Sequence, residues 1–191
     1  MTAPRSTDGA SADVNAVTWT AADGTTVTIR PIRPSDLALE QAFVDGLSQR
    51  TAYQRLLSAR RVSPEEVRRF TDIDPEREFA LIATIGARDA QREAADAERQ
   101  IGVARYVNQA SDSAEFAIVL SDDWQRRGLG RRLLGNLIDT AKKRGVRRLF
   151  GATLSENTAM IRLARALGFT TAVEPDDATV TNLTLELPPR R

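Results

Sequence analysis

The stretch from Ala114 to Gly145 constrains the fold most. Ala114–Leu120 reads as a strand, with Glu115, Ala117 and Val119 on one face and Phe116, Ile118 and Leu120 on the other. A polar loop over Ser121–Arg127 leads to Gly128-Leu129-Gly130. Apolar residues at 129, 133, 134, 137, 138 and 141 then mark one stripe of a long helix that Gly145 ends. A strand over Arg147–Leu154 follows, so the unit is strand, glycine loop, helix, strand, which calls for an α/β architecture.

The loop reads Gln125-Arg126-Arg127-Gly128-Leu129-Gly130. Its glycines let the backbone pass close to a ligand, and the helix behind it offers unpaired N–H groups and a positive dipole end. Arg126, Arg127, Arg131 and Arg132 add full charges. The chemistry is that of a cradle for an anionic, phosphate-like ligand. A P-loop would need Gly-Lys-Ser/Thr, whereas Gly130 is followed by Arg131-Arg132. A dinucleotide fingerprint would need glycine where Leu133 stands. The plainer alternative is a glycine turn before a helix with a solvated arginine face.

Charge is uneven. The chain carries 27 basic and 26 acidic residues, yet Arg126–Arg148 alone is +8, leaving −7 for the rest. A near-neutral whole gives no reason to expect nucleic-acid binding, and the basic block points to a polyanion bound at one segment. The 191 residues fit a single domain over 17–189 behind a disordered tail over 1–16, rich in Ala, Ser, Thr and Asp. No apolar run reaches the ~20 residues of a spanning helix, and the start has no signal-peptide pattern. These readings imply a cytoplasmic protein with no membrane partner.

The missing residue types narrow the chemistry. The chain has no cysteine and no histidine. That excludes a disulfide framework, a thiol nucleophile, a Ser-His-Asp triad and imidazole or thiolate metal sites, and no metal is expected. Proton transfer near neutral pH falls to a carboxylate, Lys, Tyr, water or the backbone.

Elsewhere the pattern is regular. Asp23-Gly24 reads as a hairpin turn within Val17–Arg30. Pro31 and Pro34 stop the second strand, and Ser35 or Asp36 can cap a helix carrying Leu37, Leu39, Phe43, Val44 and Leu47. A further stretch holds Tyr53, Leu56 and Leu57. Ser63-Pro64-Glu65-Glu66 is a helix start that continues through Phe70. Phe79–Ile85 is apolar on both faces and reads as a central strand; Ile101–Val107 is another, after a polar excursion over Ala87–Gln100. Asn157–Leu167 reads as a helix, and Thr170–Val173 with Thr179–Leu187 as a final antiparallel pair around Pro175-Asp176-Asp177.

The order strand, Gln-x-x-Gly-x-Gly, long helix, strand, and an Asn-bearing helix ending in Leu-Gly-Phe resembles the GNAT superfamily of acyl-CoA-dependent N-acyltransferases. The resemblance runs from about Val27 to Leu187 and is best over Glu115–Phe169. Thr28–Asp36, Ala114–Leu120 and Asn157-Thr158-Ala159-Met160 look more closely like the catalytic domain of bacterial Pat-type protein lysine acetyltransferases. The resemblance implies an α/β (α+β) GNAT fold: a mixed, mostly antiparallel sheet of about seven strands flanked by helices on both sides.

It also implies roles. The strand before the loop would splay from a parallel neighbour and hold pantetheine through the main chain of Ile118, Val119 and Leu120. The N–H of Leu120 would hold the thioester carbonyl and its developing oxyanion. The cofactor pyrophosphate would lie on the N–H groups of Arg126, Arg127, Gly128, Leu129, Gly130 and Arg131, and Gln125 would also bind the cofactor. Asn157 matches a pantetheine-contacting position, and helix capping is the alternative. Glu115 stands where related enzymes carry a catalytic Glu, as general base for an amine whose pKa is near ~10.4. Its alternative is an ion pair with an arginine such as Arg105; Glu78 is the reserve base. Many family members have a Tyr acid where this chain has Ala164. The only tyrosines are Tyr53 and Tyr106.

The expected activity is acetyl transfer from acetyl-CoA to a primary amine by direct attack in a ternary complex, with acetyl-CoA or CoA as ligand. The resemblance implies a protein lysine as acceptor, for example on an acyl-CoA synthetase. The alternatives are a small-molecule amine acetyltransferase and a non-catalytic acyl-CoA-binding module.

Overall fold

The computed structural model describes residues 16–56, 62–86, 98–110 and 112–188. The expected disordered tail, apart from Ala16, most of the 87–100 excursion, Leu57 and the last three residues lie outside these. The strands are β1 (Val17–Thr20), β2 (Thr26–Pro31), β3 (Glu78–Ile85), β4 (Arg99–Asn108), β5 (Ser113–Leu120), β6 (Arg148–Leu154), β7 (Thr170–Glu174) and β8 (Asp177–Glu186). They form one sheet in the order β1-β2-β3-β4-β5-β6-β8-β7. Neighbours are antiparallel except β5 and β6, which run parallel. The sheet has eight strands where about seven were expected, because the short edge strands β1 and β7 both pair fully with their neighbours.

The helices are α1 (Leu37–Asp45), α2 (Gln49–Leu56), α3 (Pro64–Thr71), α4 (Leu129–Lys143) and α5 (Thr158–Ala166). The two faces of β3 explain their placement. Phe79, Leu81 and Ala83 join Leu129, Leu133, Leu134, Leu137 and Ile138 of α4 in the larger core, which Leu163 of α5 also borders. Ala80 and Ile82 face Ile32, just after β2, and Phe43 of α1, with Val103 and Val119, in the smaller one. Burying each large apolar side chain is worth roughly 1.5–3 kcal/mol, so the central strands and α4 form the most stable part of the domain.

Local signals act as read from the sequence, with one exception. The Ser63 hydroxyl accepts from the Glu66 amide at 3.2 Å while Glu66 Oε2 accepts from the Ser63 amide at 2.9 Å, a capping box that starts α3. Asp36 precedes α1, but its side chain makes no cap bond to that helix. Its oxygens instead accept from the Arg30 guanidinium, at 2.7 and 2.8 Å, and from the Arg33 amide at 2.7 Å, at the start of the turn before α1.

Candidate active site

β5 and β6 pair at Ser113↔Arg148, Ala114↔Leu149 and Glu115↔Phe150, and among the described residues the pairing stops there although both strands continue. A gap therefore opens beyond Glu115. On its other edge β5 stays paired with β4 as far as Gly102↔Leu120. The Ser121 amide donates to Ile101 at 3.0 Å, and antiparallel hydrogen bonds alternate along a strand, so Ile118 and Leu120 turn their N–H and C=O groups away from β4 into the gap. Gly151 lies at the apex. A Cβ there would sit 2.9 Å from the Phe116 carbonyl oxygen and 3.1 Å from its ring, so only glycine lets the strands approach before they part.

The loop Gln125–Gly130 closes the wide end of the gap. Gly128 has φ +84° and nothing within 4 Å of where a Cβ would stand. Arg126 adopts φ +59°, the one left-handed non-glycine among the described residues. Alternating left-handed residues turn successive amides to one side, and the first turn of α4 adds N–H groups without intrahelical partners. Leu129 and Gly130 are buried, while Arg126, Arg127 and Arg131 are exposed. Arg127 donates to Asp23 of the β1–β2 turn at 2.8 Å and stacks over Trp124, and Arg132 stacks over Trp19 at 4.6 Å.

Glu115 is exposed on the α1–α3 face, at the last paired position before the gap, and its Oε2 accepts from Gln109 Nε2 at 3.4 Å. The register Glu78↔Val107↔Glu115 puts both candidate bases on one face in one row across three strands. The alternative partner, Arg105, is buried elsewhere: it donates to the Phe70 carbonyl at 3.0 Å, lies over the Phe70 ring and comes within 3.9 Å of Glu40.

Asn157 caps α5, its Oδ1 accepting from the Met160 amide at 3.1 Å while Nδ2 donates to Thr153 at 3.2 Å. Ala164 is fully buried against the core. Tyr106 is also buried, and burial pushes its phenol above the ordinary value. Tyr53 is exposed on α2.

Sequence reasoning missed Asp122, Ser48 and Thr51. Asp122 Oδ1 accepts from the Ser48 and Thr51 hydroxyls, both at 2.8 Å, and Oδ2 from the Ser48 amide at 3.2 Å. Burial pushes this carboxyl up, but those bonds outweigh it and hold it below the ordinary carboxylate value. Thr51 lies 71 residues from Asp122, so no local pattern could have joined them. Gly151 did carry a signal, a lone glycine inside a strand.

A family model for the GNAT acetyltransferases matches residues 50–169, more than half of the chain. The chain belongs to the GNAT acetyltransferase family. An acetyltransferase of Pseudomonas aeruginosa is 34% identical over 160 residues, 82% of each chain. Acetyltransferase Pat of Mycolicibacterium smegmatis is 30% identical over 142 residues, which are 73% of this chain and 40% of Pat. Among solved structures, the GNAT domain of Streptomyces lividans PAT superposes with a TM-score of 0.77 at 27% identity, covering 90% of this chain and 97% of that one. The likeness to Pat-type catalytic domains read from Thr28–Asp36, Ala114–Leu120 and Asn157–Met160 is thus borne out.

As a GNAT acetyltransferase the protein uses acetyl-CoA as its acyl donor. The residues present fit such a ligand. Unpaired strand amides border a gap long enough for an extended arm, and a positive helix end with exposed arginines stands at its mouth. Among the described residues no group of three or more Asp or Glu side chains could hold a metal, and no helix is long and apolar enough to cross a membrane.

Proposed function

We propose that this GNAT enzyme acetylates a protein lysine, for example on an acyl-CoA synthetase, by direct attack of the amine on the donor thioester, with Glu115 as general base. The observation that carries the reading is the position of Glu115 beside the apex of the β5–β6 gap. The donor arm enters between the strands from the loop, with its pyrophosphate on the amides of Arg126–Arg131, the arm on the main chain of Ile118 and Leu120 but not of Val119, whose N–H and C=O pair with Val103 of β4, and Asn157 against it. The acceptor comes to the α1–α3 face, where Glu115 and Glu78 share a row. Two carboxylates there favour a lysine ammonium, and the relationship to Pat supports a protein as its carrier. Acetyl-CoA is an intracellular metabolite, which supports a cytoplasmic site of action.

The chemistry follows from proton balance. The amine must lose a proton before it attacks, and Glu115 takes that proton, directly or through water. At ~3.3 Å per residue, Leu120 lies ~16 Å from Glu115 along the strand and Ile118 ~10 Å. The amide of Ile118 therefore suits the thioester carbonyl better than that of Leu120, which suits the arm nearer the loop. With Ala164 at the usual tyrosine position, the departing thiolate, of pKa ~8.5, leaves without a side-chain acid.

The test is CoA-thiol release from acetyl-CoA with lysine peptides, acyl-CoA synthetases and small amines, for the wild type and Glu115→Gln. Turnover should be fastest with the protein acceptors and should fall ~10²–10⁴-fold in the variant with CoA affinity unchanged. Unchanged turnover removes Glu115 from the mechanism. Faster release with a small amine than with any protein overturns the acceptor.

A further inference from the structure

α2 packs against both β5 and β6, across the opening between them. Its N-terminus is tied to the donor loop by one carboxylate. Asp122 receives the Ser48 hydroxyl and amide and the Thr51 hydroxyl, while the Ser48 hydroxyl oxygen accepts from the Thr51 amide at 3.2 Å and caps the helix.

The direction of these bonds fixes a side chain of the loop. A hydroxyl has one proton. Thr51 gives its proton to the Asp122 carboxylate, so only lone pairs remain for Gln125. Gln125 must then present its amino group, and Nε2 does lie 3.2 Å from Thr51 Oγ1 and 3.5 Å from the Leu120 carbonyl oxygen, the second a long contact. This arrangement turns Gln125 Oε1 away from Thr51 and Leu120, as an acceptor at the mouth of the gap. An amide N–H of the donor arm is the chemistry it would meet.

We propose that Asp122 is a positioning residue that makes donor binding and the order of α2 depend on each other, by clamping Ser48 and Thr51 and, through Thr51, setting the orientation of the Gln125 amide. The inference rests on the donor site proposed above. Asparagine at 122 would break the logic, because it can offer its own NH₂ to Thr51, release the threonine proton toward Gln125 and let that amide turn over.

The experiment measures the CoA dissociation constant by calorimetry and the hydrogen exchange of residues 49–54 with and without CoA. In the wild type CoA should slow exchange in α2. Asp122→Asn should raise the dissociation constant about tenfold, as expected when a charge-assisted bond is lost, and abolish that CoA-dependent protection. Thr51→Val should do the same, which keeps the test open if Asp122→Asn does not fold; Thr51→Ser, which keeps the hydroxyl, should behave as wild type. Unchanged affinity and protection in Asp122→Asn and Thr51→Val overturn the proposal. So does weakened binding with protection intact, or a Thr51→Ser variant as impaired as Thr51→Val. Gly128→Val separates the two levels: if the wild type binds no CoA, or this variant binds it normally, the donor site itself is misassigned. If only Gly128→Val loses CoA, the donor site stands and the role of Asp122 falls.

Discussion

On the side proposed for the donor the site is shaped by backbone: a β5 edge that leaves its β6 pairing after Glu115, left-handed residues at Arg126 and Gly128, and the amides of a helix start. On the face proposed for the acceptor, side-chain charge holds the elements together. Arg30 grips Asp36 through two bonds and reaches Glu98 at 3.1 Å, while buried Glu40 of α1 accepts from Gln100 and lies near Arg105. The difference has a chemical logic. A donor with a fixed polyanionic handle can be read by amides whose position is set once the chain folds. Helices over an acceptor must be anchored to a sheet that offers them only a small apolar cluster around Ile82 and Val103.

The contrast breaks most sharply at Gly128. Gly128→Val places a β-branched residue at φ +84°, a region such residues avoid. The cradle should lose its shape while the core beneath α4 keeps its packing. At a thousandfold excess of CoA over its dissociation constant the wild type gains about 4 kcal/mol of stability from the ligand. The variant should gain none, read as the loss of the CoA-induced rise in melting temperature. A retained rise would mean that the donor does not bind at this loop.

A smaller effect is expected at Asp36. Burial pushes its carboxyl up, but the Arg30 guanidinium and the Arg33 amide outweigh that and hold it below the ordinary value. A depressed value in the folded state stabilises the protein above the unfolded value, near ~3.9, and that contribution is lost as pH falls through the folded value. Asp36→Asn should cost about 1–3 kcal/mol in urea unfolding at neutral pH, and the gap to wild type should narrow below about pH 4. CoA affinity should not change, because the pair anchors the opposite face. A shift in CoA affinity would show that the faces are coupled through the sheet.

The sequence revealed what local rules encode. The hairpin at Asp23-Gly24, the Ser63 capping box and the apolar stripe of α4 are patterns within a few residues, and each appears where expected. The glycine loop was visible because two glycines and four arginines occupy one short segment. The acceptor side was not. Glu40 and Gln100 are 60 residues apart, and nothing near Arg105 shows that it turns to Glu40 and Phe70 rather than to Glu115. Asp122 looked like a polar loop residue until folding brought α2 beside it. Charged side chains reach far and choose partners only once the sheet register is set, so their pairings escape a reading by periodicity.

The mildest prediction concerns the place where the two modes meet. Arg127 belongs to the backbone-built loop, yet its guanidinium donates to Asp23 across the surface, with both side chains about half exposed. The Thr25 amide, ahead of Arg127, holds the Asp23 carboxyl below its ordinary value, so the group is anionic at neutral pH. An anion at the mouth of the proposed phosphate site opposes the ligand and occupies a cation the ligand could use. Asp23→Asn should therefore tighten CoA binding by roughly two- to fivefold at low salt, the scale of an exposed pair. The gain should fade as ionic strength rises and the Debye length shrinks. Calorimetry at two salt concentrations reads both effects. If binding instead weakens, Asp23 is orienting Arg127 toward the ligand, and the loop depends on side-chain anchoring as the acceptor face does.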